Sequence, residues 1–387
     1  MNVRSLMKVP KYRWILWAAT LAAAVFFVSE MGFLSRGHGA TAPRGFELLD
    51  TLMSHIRNDY LEERDPVMTA EGTFRGMVNS LDPLSAYLPK DLAASYRAQS
   101  AKTTETGMVV LKRDAAFPQV VALVDKSPAA AAGVEMGDLV SAIGGRGTLN
   151  MSLAEVKLLL RGTDEKPVAI RVLRGNDTHN LDVPRAVLFP SAYTFVPAGA
   201  GASQPARLSI HRFEPGLADV LRKLIIPGLK GRKAPLVLDL RGAQDGTLEE
   251  AGRLANLFVK TNDAGRFEGR EGDKKTLACP DEAELAPVPV VVWVDAGTAG
   301  PAELAAGVLQ ELRKAKVVGY KTPGLAGLTA LFPLKDDSAV LLTSAVFVLP
   351  SGRKLWDEGL APDAAIPADE LNEKTYLEKT ILLLPKL

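Results

Sequence analysis

The stretch from Val288 to Phe332 reads VPVVVWVDAGTAGPAELAAGVLQELRKAKVVGYKTPGLAGLTALF. It has the form that displays one reactive residue at the start of a helix. Nucleophilic attack by a hydroxyl there would need an oxygen and a base within hydrogen-bond reach. It would also need N–H donors aimed at the developing oxyanion, commonly including the N–H of the residue after the nucleophile. The elements that would position such groups follow from the pattern. Val290 to Val294, short and β-branched, predicts a buried strand. Asp295-Ala-Gly-Thr298 breaks it. Pro301 and Glu303 suit a first helical turn, and Leu304, Val308 and Leu312 repeat every four residues along one buried face. Lys316 to Gly319 predicts a second strand, and Lys321 to Gly327 a loop.

These residues resemble the catalytic core of the C-terminal processing peptidases, also called tail-specific proteases. In that family a run like G-S-A-S-A-S-E holds the nucleophile at its second serine, and a later T-F-G-K-G holds a lysine as general base. The corresponding runs here are Gly297-Thr-Ala-Gly-Pro-Ala-Glu303 and Thr322-Pro-Gly-Leu-Ala326. The resemblance places Gly300 at the nucleophile position and Leu325 at the base position. Thr329 stands where a glutamine usually supports the lysine.

Glycine offers no oxygen and leucine takes no proton. Pro301, next to the nucleophile position, has no backbone N–H. The family's other oxyanion donor comes from a glycine in L-D-L-R-x-N-x-G-G. The matching run, Leu238-Asp-Leu-Arg-Gly-Ala-Gln-Asp-Gly246, has Asp245 for the first of the two glycines. Asp245, Gly246 and Pro301 are therefore the oxyanion-like positions, and a carboxylate at Asp245 is expected to oppose an oxyanion. A gapped alignment would instead make Thr298 the nucleophile and Lys321 the base. The simpler reading makes Thr298 a helix-capping hydroxyl and Lys321 a loop residue.

Composition excludes several other chemistries. The 387 residues, 47% hydrophobic, suffice for two or three domains. A net charge of +1 without a basic block argues against nucleic acid. One cysteine, Cys279, leaves no disulfide framework or cysteine metal cluster. The four histidines, His38, His55, His179 and His211, have no ligand spacing. Neither a metal nor a cofactor is expected.

At the N-terminus Arg4, Lys8, Lys11 and Arg13 precede an apolar run from Trp14 to Val28 that extends to Leu34, interrupted by Glu30. It fits a signal peptide or a short anchor. Ala40-Thr-Ala42 lies far beyond the apolar core for a cleavage site, so the uncleaved anchor is preferred. The basic flank predicts a single-pass protein of the cytoplasmic membrane with an exported body, periplasmic in a bacterium.

Residues from Arg44 to about Ser100 predict helices, with Leu48, Leu52, Ile56 and Tyr60 on one face and Phe74, Met77, Val78 and Leu81 on another. Ser80-Leu-Asp-Pro-Leu-Ser-Ala-Tyr-Leu88 resembles the family's S-L-D-P-H-S-x-Y-L scaffold run. From Thr103 to Arg185 the chain resembles a PDZ domain, most clearly over Ser127 to Val140. A helix over Ser152 to Leu160 opens with a capping box, Ser152 with Glu155, and Val168 to Leu173 follows as a strand. A PDZ domain takes a peptide as an added strand, its carboxylate on backbone N–H groups. The peptide-binding candidates are Gly107, Met108, Val109, Val156, Leu159 and Leu160. Ordinary core packing accounts for the apolar members equally well.

After the small-residue stretch Ala198 to Pro205, strands at Arg207 to Arg212 and Leu236 to Leu240 alternate with helices at Leu217 to Ile225 and Glu249 to Val259, implying an α/β core. Val340 to Pro362 resembles the family's closing run, with Val346 replacing an arginine. The expected architecture is a tail-specific protease-like α/β core with an inserted PDZ domain, an N-terminal helical segment and a membrane anchor. Its divisions are 1–36, 44–102, 103–186 and 187–387. Three functions fit. The preferred one is a membrane-anchored pseudopeptidase that binds polypeptide C-termini or regulates a partner protein such as an active peptidase. The others are an active peptidase using Thr298 and Lys321, and a structural subunit of an envelope assembly. Self-association into a homo-oligomer stays open.

Overall fold

The computed structural model describes residues 44–62, 65–98, 103–113, 115–162, 164–199, 205–229 and 235–383. The expected anchor over 1–36 lies outside them. Among the described residues no helix is long and apolar enough to cross a membrane. The chain divides into a unit ending at Ala70 and a larger one from Glu71 onward. In the first, the helix Arg44–Asp59 carries its periodic apolar residues in the open, Leu48 being 70% and Leu52 54% exposed.

The larger unit is built on a six-stranded sheet in the order Ala364–Ala365, Lys316–Gly319, Val290–Val294, Leu236–Asp239, Ala206–Ile210, Tyr193–Val196. All neighbouring pairs are parallel except the last. Side chains alternate between the two faces of a strand. Val290, Val292 and Val294 join the main core with Leu304, Val308 and Leu309 of the helix Pro301–Leu312. Val291 and Trp293 pack on the other face with Val237, Val318 and Tyr376. That double burial is why the strand is apolar without interruption. On the second face the Arg241 guanidinium lies 4.7 Å from the Trp293 ring centroid and 4.6 Å from that of Tyr376. Tyr376 donates to the Val294 carbonyl at 2.7 Å.

A second, antiparallel sheet contains a strand absent from the sequence-based expectation. Ala86–Leu88, inside the segment expected to be helical, pairs with Ala339 to Leu341. Asp82 fixes this join by accepting from Leu84 N, Ser85 N and Thr343 Oγ1, each at 2.8 Å. The PDZ region forms its own sheet in the order Met108–Leu111, Gln119–Leu123, Leu139–Ile143, Val168–Arg174, Asp177–Val183. The helix Leu153–Leu160 starts at the expected capping box, Ser152 with Glu155.

His211 lies where the strand Ala206–Ile210 ends, its ring stacked on Phe189 at 3.8 Å and Nε2 2.9 Å from Thr194 Oγ1. Burial pushes its pKa down to about 4; Asp239 opposes the shift and Arg212 adds to it. Between about 6.5 and about 4 the unfolded chain binds a proton that the native state refuses. The stabilisation is therefore complete above that window and is lost as pH falls through it. Between about pH 7.5 and about pH 4.5, denaturant unfolding of the wild type should lose on the order of 2 kcal/mol more than His211→Gln does. Equal losses would show that His211 is not the titrating group.

Candidate functional site

Glu303 holds the site together. It sits in the first turn of the helix Pro301–Leu312 and is fully buried. Its carboxylate accepts from Gly300 N at 3.0 Å, Thr322 Oγ1 at 2.5 Å, Gly324 N at 2.6 Å and Leu325 N at 2.6 Å. One side chain thus ties the helix start to the following loop. Burial raises its pKa, and the four donors oppose the rise.

Gly300 lies at the mouth of this joint with φ 55° and ψ −112°. That conformation is costly for a residue with a side chain. A Cβ there would still find ordinary contacts, 3.6 Å from the Leu325 carbonyl oxygen and 3.8 Å from that of Gln244. Leu325 is 7% exposed and packs in one apolar cluster with Ala299, Val110, Leu153, Val156 and Leu160, joining the core to the PDZ region. Gly300, Pro301, Leu325, Thr329, Asp245 and Gly246 all line one cleft of 510 Å³. Sequence spacing therefore brought the six positions to one place. Gly246, at φ 117°, must be glycine, because a Cβ would lie 2.2 Å from the Phe213 carbonyl oxygen.

Thr298 and Lys321 are not brought into that cleft. The Thr298 hydroxyl is fully buried, accepts from Asp295 N at 2.9 Å and shares its proton between the Leu240 carbonyl at 2.9 Å and Asp295 Oδ1 at 3.1 Å. Lys321 is exposed and lines a separate cavity of 800 Å³.

One expectation needs correction. Asp245 is not a free carboxylate facing an oxyanion, because Arg161 of the PDZ helix is ion-paired with it. Burial opposes ionisation of Asp245, but the Arg161 and Lys157 charges outweigh it and hold the pKa below the usual range. Arg161 Nε also meets Glu105 at 3.3 Å. The expected peptide groove is narrow in this structure. The space beside Gly107, Met108, Val109 and Leu160 is 60 Å³ and is covered by Gly242, Gln244 and Asp245 of the core. A ligand site needs several hundred Å³. Val109 packs against the backbone at Gly242 and Gly297, Val156 is fully buried core, and Leu159 packs partly buried on the same cluster. Lys157, Arg161 and Gln244 escaped the sequence reading. The available signal was the four-residue spacing of Lys157 and Arg161, which puts both cations on one helix face.

Glu303→Gln should lower unfolding stability by about 3 kcal/mol, since its amide turns a donor toward groups that are themselves donors. Urea unfolding measures this, and a loss below about 1 kcal/mol would contradict the joint.

Residues 206–366 match Peptidase family S41, and residues 119–174 match a PDZ domain. The chain is 28% identical over 333 residues to a carboxy-terminal-processing protease of Bartonella bacilliformis, covering 81% of this chain and 73% of that protein. It is 27% identical over 372 residues to carboxy-terminal processing protease CtpA of Bacillus subtilis, covering 94% and 78%. The fold is similar to that of the photosystem II D1 C-terminal processing protease, with a TM-score of 0.67 at 22% identity over 88% of this chain and 90% of that one. The chain therefore carries an S41 peptidase domain and a PDZ domain.

Proposed function

We propose that this chain is a pseudopeptidase that binds polypeptide in the S41 cleft and does not cut it. One observation carries the reading: the cleft keeps its backbone geometry around Glu303, while the two positions that should bear an oxygen and an amine are Gly300 and an apolar, packed Leu325. The leucine does more than lack a proton acceptor. It fills the position with an apolar side chain packed against the PDZ region. The basic flank and apolar run at the N-terminus support an anchored, extracytoplasmic body. There its partner would be a polypeptide C-terminus or a second protein, such as an active peptidase.

An active enzyme is the second reading, since the chain resembles proteases along most of its length. Thr298 and Lys321 are its candidate groups, and their separation counts against it. The purified protein incubated with an unfolded polypeptide of apolar C-terminus should release no fragments by mass spectrometry. Turnover lost in Thr298→Ala or Lys321→Ala would overturn the proposal. Gly300→Ser combined with Leu325→Lys should also stay silent, because Pro301 still withholds its N–H; cleavage by that double variant would show that the missing donor does not matter.

A further inference from the structure

The strand Ala206–Ile210 departs from the rule of its own sheet. Strands of a parallel sheet are covered on both faces and read as continuous apolar runs, as Val290–Val294 does. Here Ala206, Leu208 and Ile210 enter the main core, while the alternate residues are Arg207, Ser209 and His211. The polar set continues across the sheet. Ser209 stands in register with Thr194 on one side and Asp239 on the other, and Arg241 and Asp295 follow the ends of the next two strands. These residues line a cavity of 370 Å³ on the face opposite the helix Pro301–Leu312. The PDZ region faces it with Val121, Leu123 and Met136, which form an apolar wall beside Phe189. The volume is that of a small-ligand site.

The polar groups around this cavity are only partly spent. Arg207 Nε is buried without a hydrogen-bond partner, the guanidinium being held at Nη1 by Glu373, 2.9 Å away. Arg241 uses Nε and Nη2 on Asp239, at 2.8 and 2.7 Å. The hydrogen bonds to the Asp295 carboxylate, from Gly242 N, Gly297 N and Thr298 Oγ1, all fall on Oδ1 and leave Oδ2 over. His211, neutral at pH 7, shares a hydrogen bond between Nε2 and Thr194 Oγ1. A neutral imidazole keeps one donor and one acceptor.

Charge decides what fits. Each guanidinium already holds a carboxylate, so an anion finds no free cation. A cation would be opposed by both guanidiniums. What remains is a mixture of N–H donors and oxygen acceptors, at Arg207, Arg241, Ser209 and Asp295, next to an apolar wall. We infer that this cavity is a binding site for a neutral polyhydroxylated ligand, a sugar ring, whose hydroxyls each donate and accept and whose C–H face meets Phe189 and Met136. The assignment is independent of what the cleft at Gly300 does with a polypeptide, because the two lie on opposite faces of the sheet.

The test is saturation-transfer NMR on the full chain with neutral sugars (glucose, N-acetylglucosamine and cellobiose) and with succinate and putrescine as charged controls. At least one sugar should receive saturation and neither control should. Silence from every sugar, or transfer to either control, would overturn the assignment. Ser209→Ala removes one hydroxyl and should weaken the bound sugar about threefold to tenfold. Arg207→Met keeps the stem of the side chain and should weaken it at least about tenfold, as expected for a hydrogen bond to a charged group. Unchanged affinity in either variant would place the sugar elsewhere. A further measurement uses the wild type alone and does not depend on a variant folding. The sugar should slow amide hydrogen exchange in residues 206–211 and in the PDZ strand Gln119–Leu123; protection confined to other segments would overturn the site.

Discussion

Everything at the cleft depends on one buried carboxylate accepting four hydrogen bonds. Glu303 lies where the helix dipole favours negative charge. It satisfies Gly300 N–H at the helix start and two N–H groups of the loop at Gly324 and Leu325. Its third kind of partner, Thr322 Oγ1, accepts in turn from Leu360 N at 2.8 Å, and the Gly324 carbonyl receives Asp357 N at 3.0 Å. The joint therefore extends to a third segment of chain. None of these bonds uses the side chain at 300 or 325. A scaffold locked this way does not depend on the side chains at 300 and 325 for its shape.

Leucine at 325 also bears on how the PDZ region sits against the core. A lysine there would need its ammonium hydrated or paired. The leucine joins Ala299 and the PDZ residues Val110, Leu153, Val156 and Leu160 in a shared apolar cluster. Burying such a side chain contributes roughly 1.5–3 kcal/mol. Leu325 thus favours a PDZ region seated on the core.

Local pattern revealed what local pattern encodes. The strand Val290–Val294, the helix Pro301–Leu312 and the capping box at Ser152 are set by neighbours a few residues away, and they stand where the spacing put them. The motif runs also brought Gly300, Leu325, Thr329, Asp245, Gly246 and Pro301 to one cleft. The misses all involve distant partners. Ala86–Leu88 is a strand only because Ala339 to Leu341 lies beside it. Val109 looks like a peptide-facing residue until Gly242 and Gly297 are placed against it. The role of Glu303 beyond its own helix turn is invisible without the loop 21 to 22 residues further on.

Asp245 shows how a residue's meaning turns on such a partner. In the sequence it is a glycine lost from an oxyanion-binding run. In the folded chain it is one of two carboxylates on Arg161, across the seam between core and PDZ region. Two carboxylates on one guanidinium leave a negative excess in a poorly hydrated place, where Coulomb effects are strong. Burial pushes Glu105 toward its neutral form, with Arg161 opposing and Asp245 adding to the push. Lys157 offsets the excess from a short distance without touching either acid. Asp245 therefore supplies a charge at the seam between core and PDZ region.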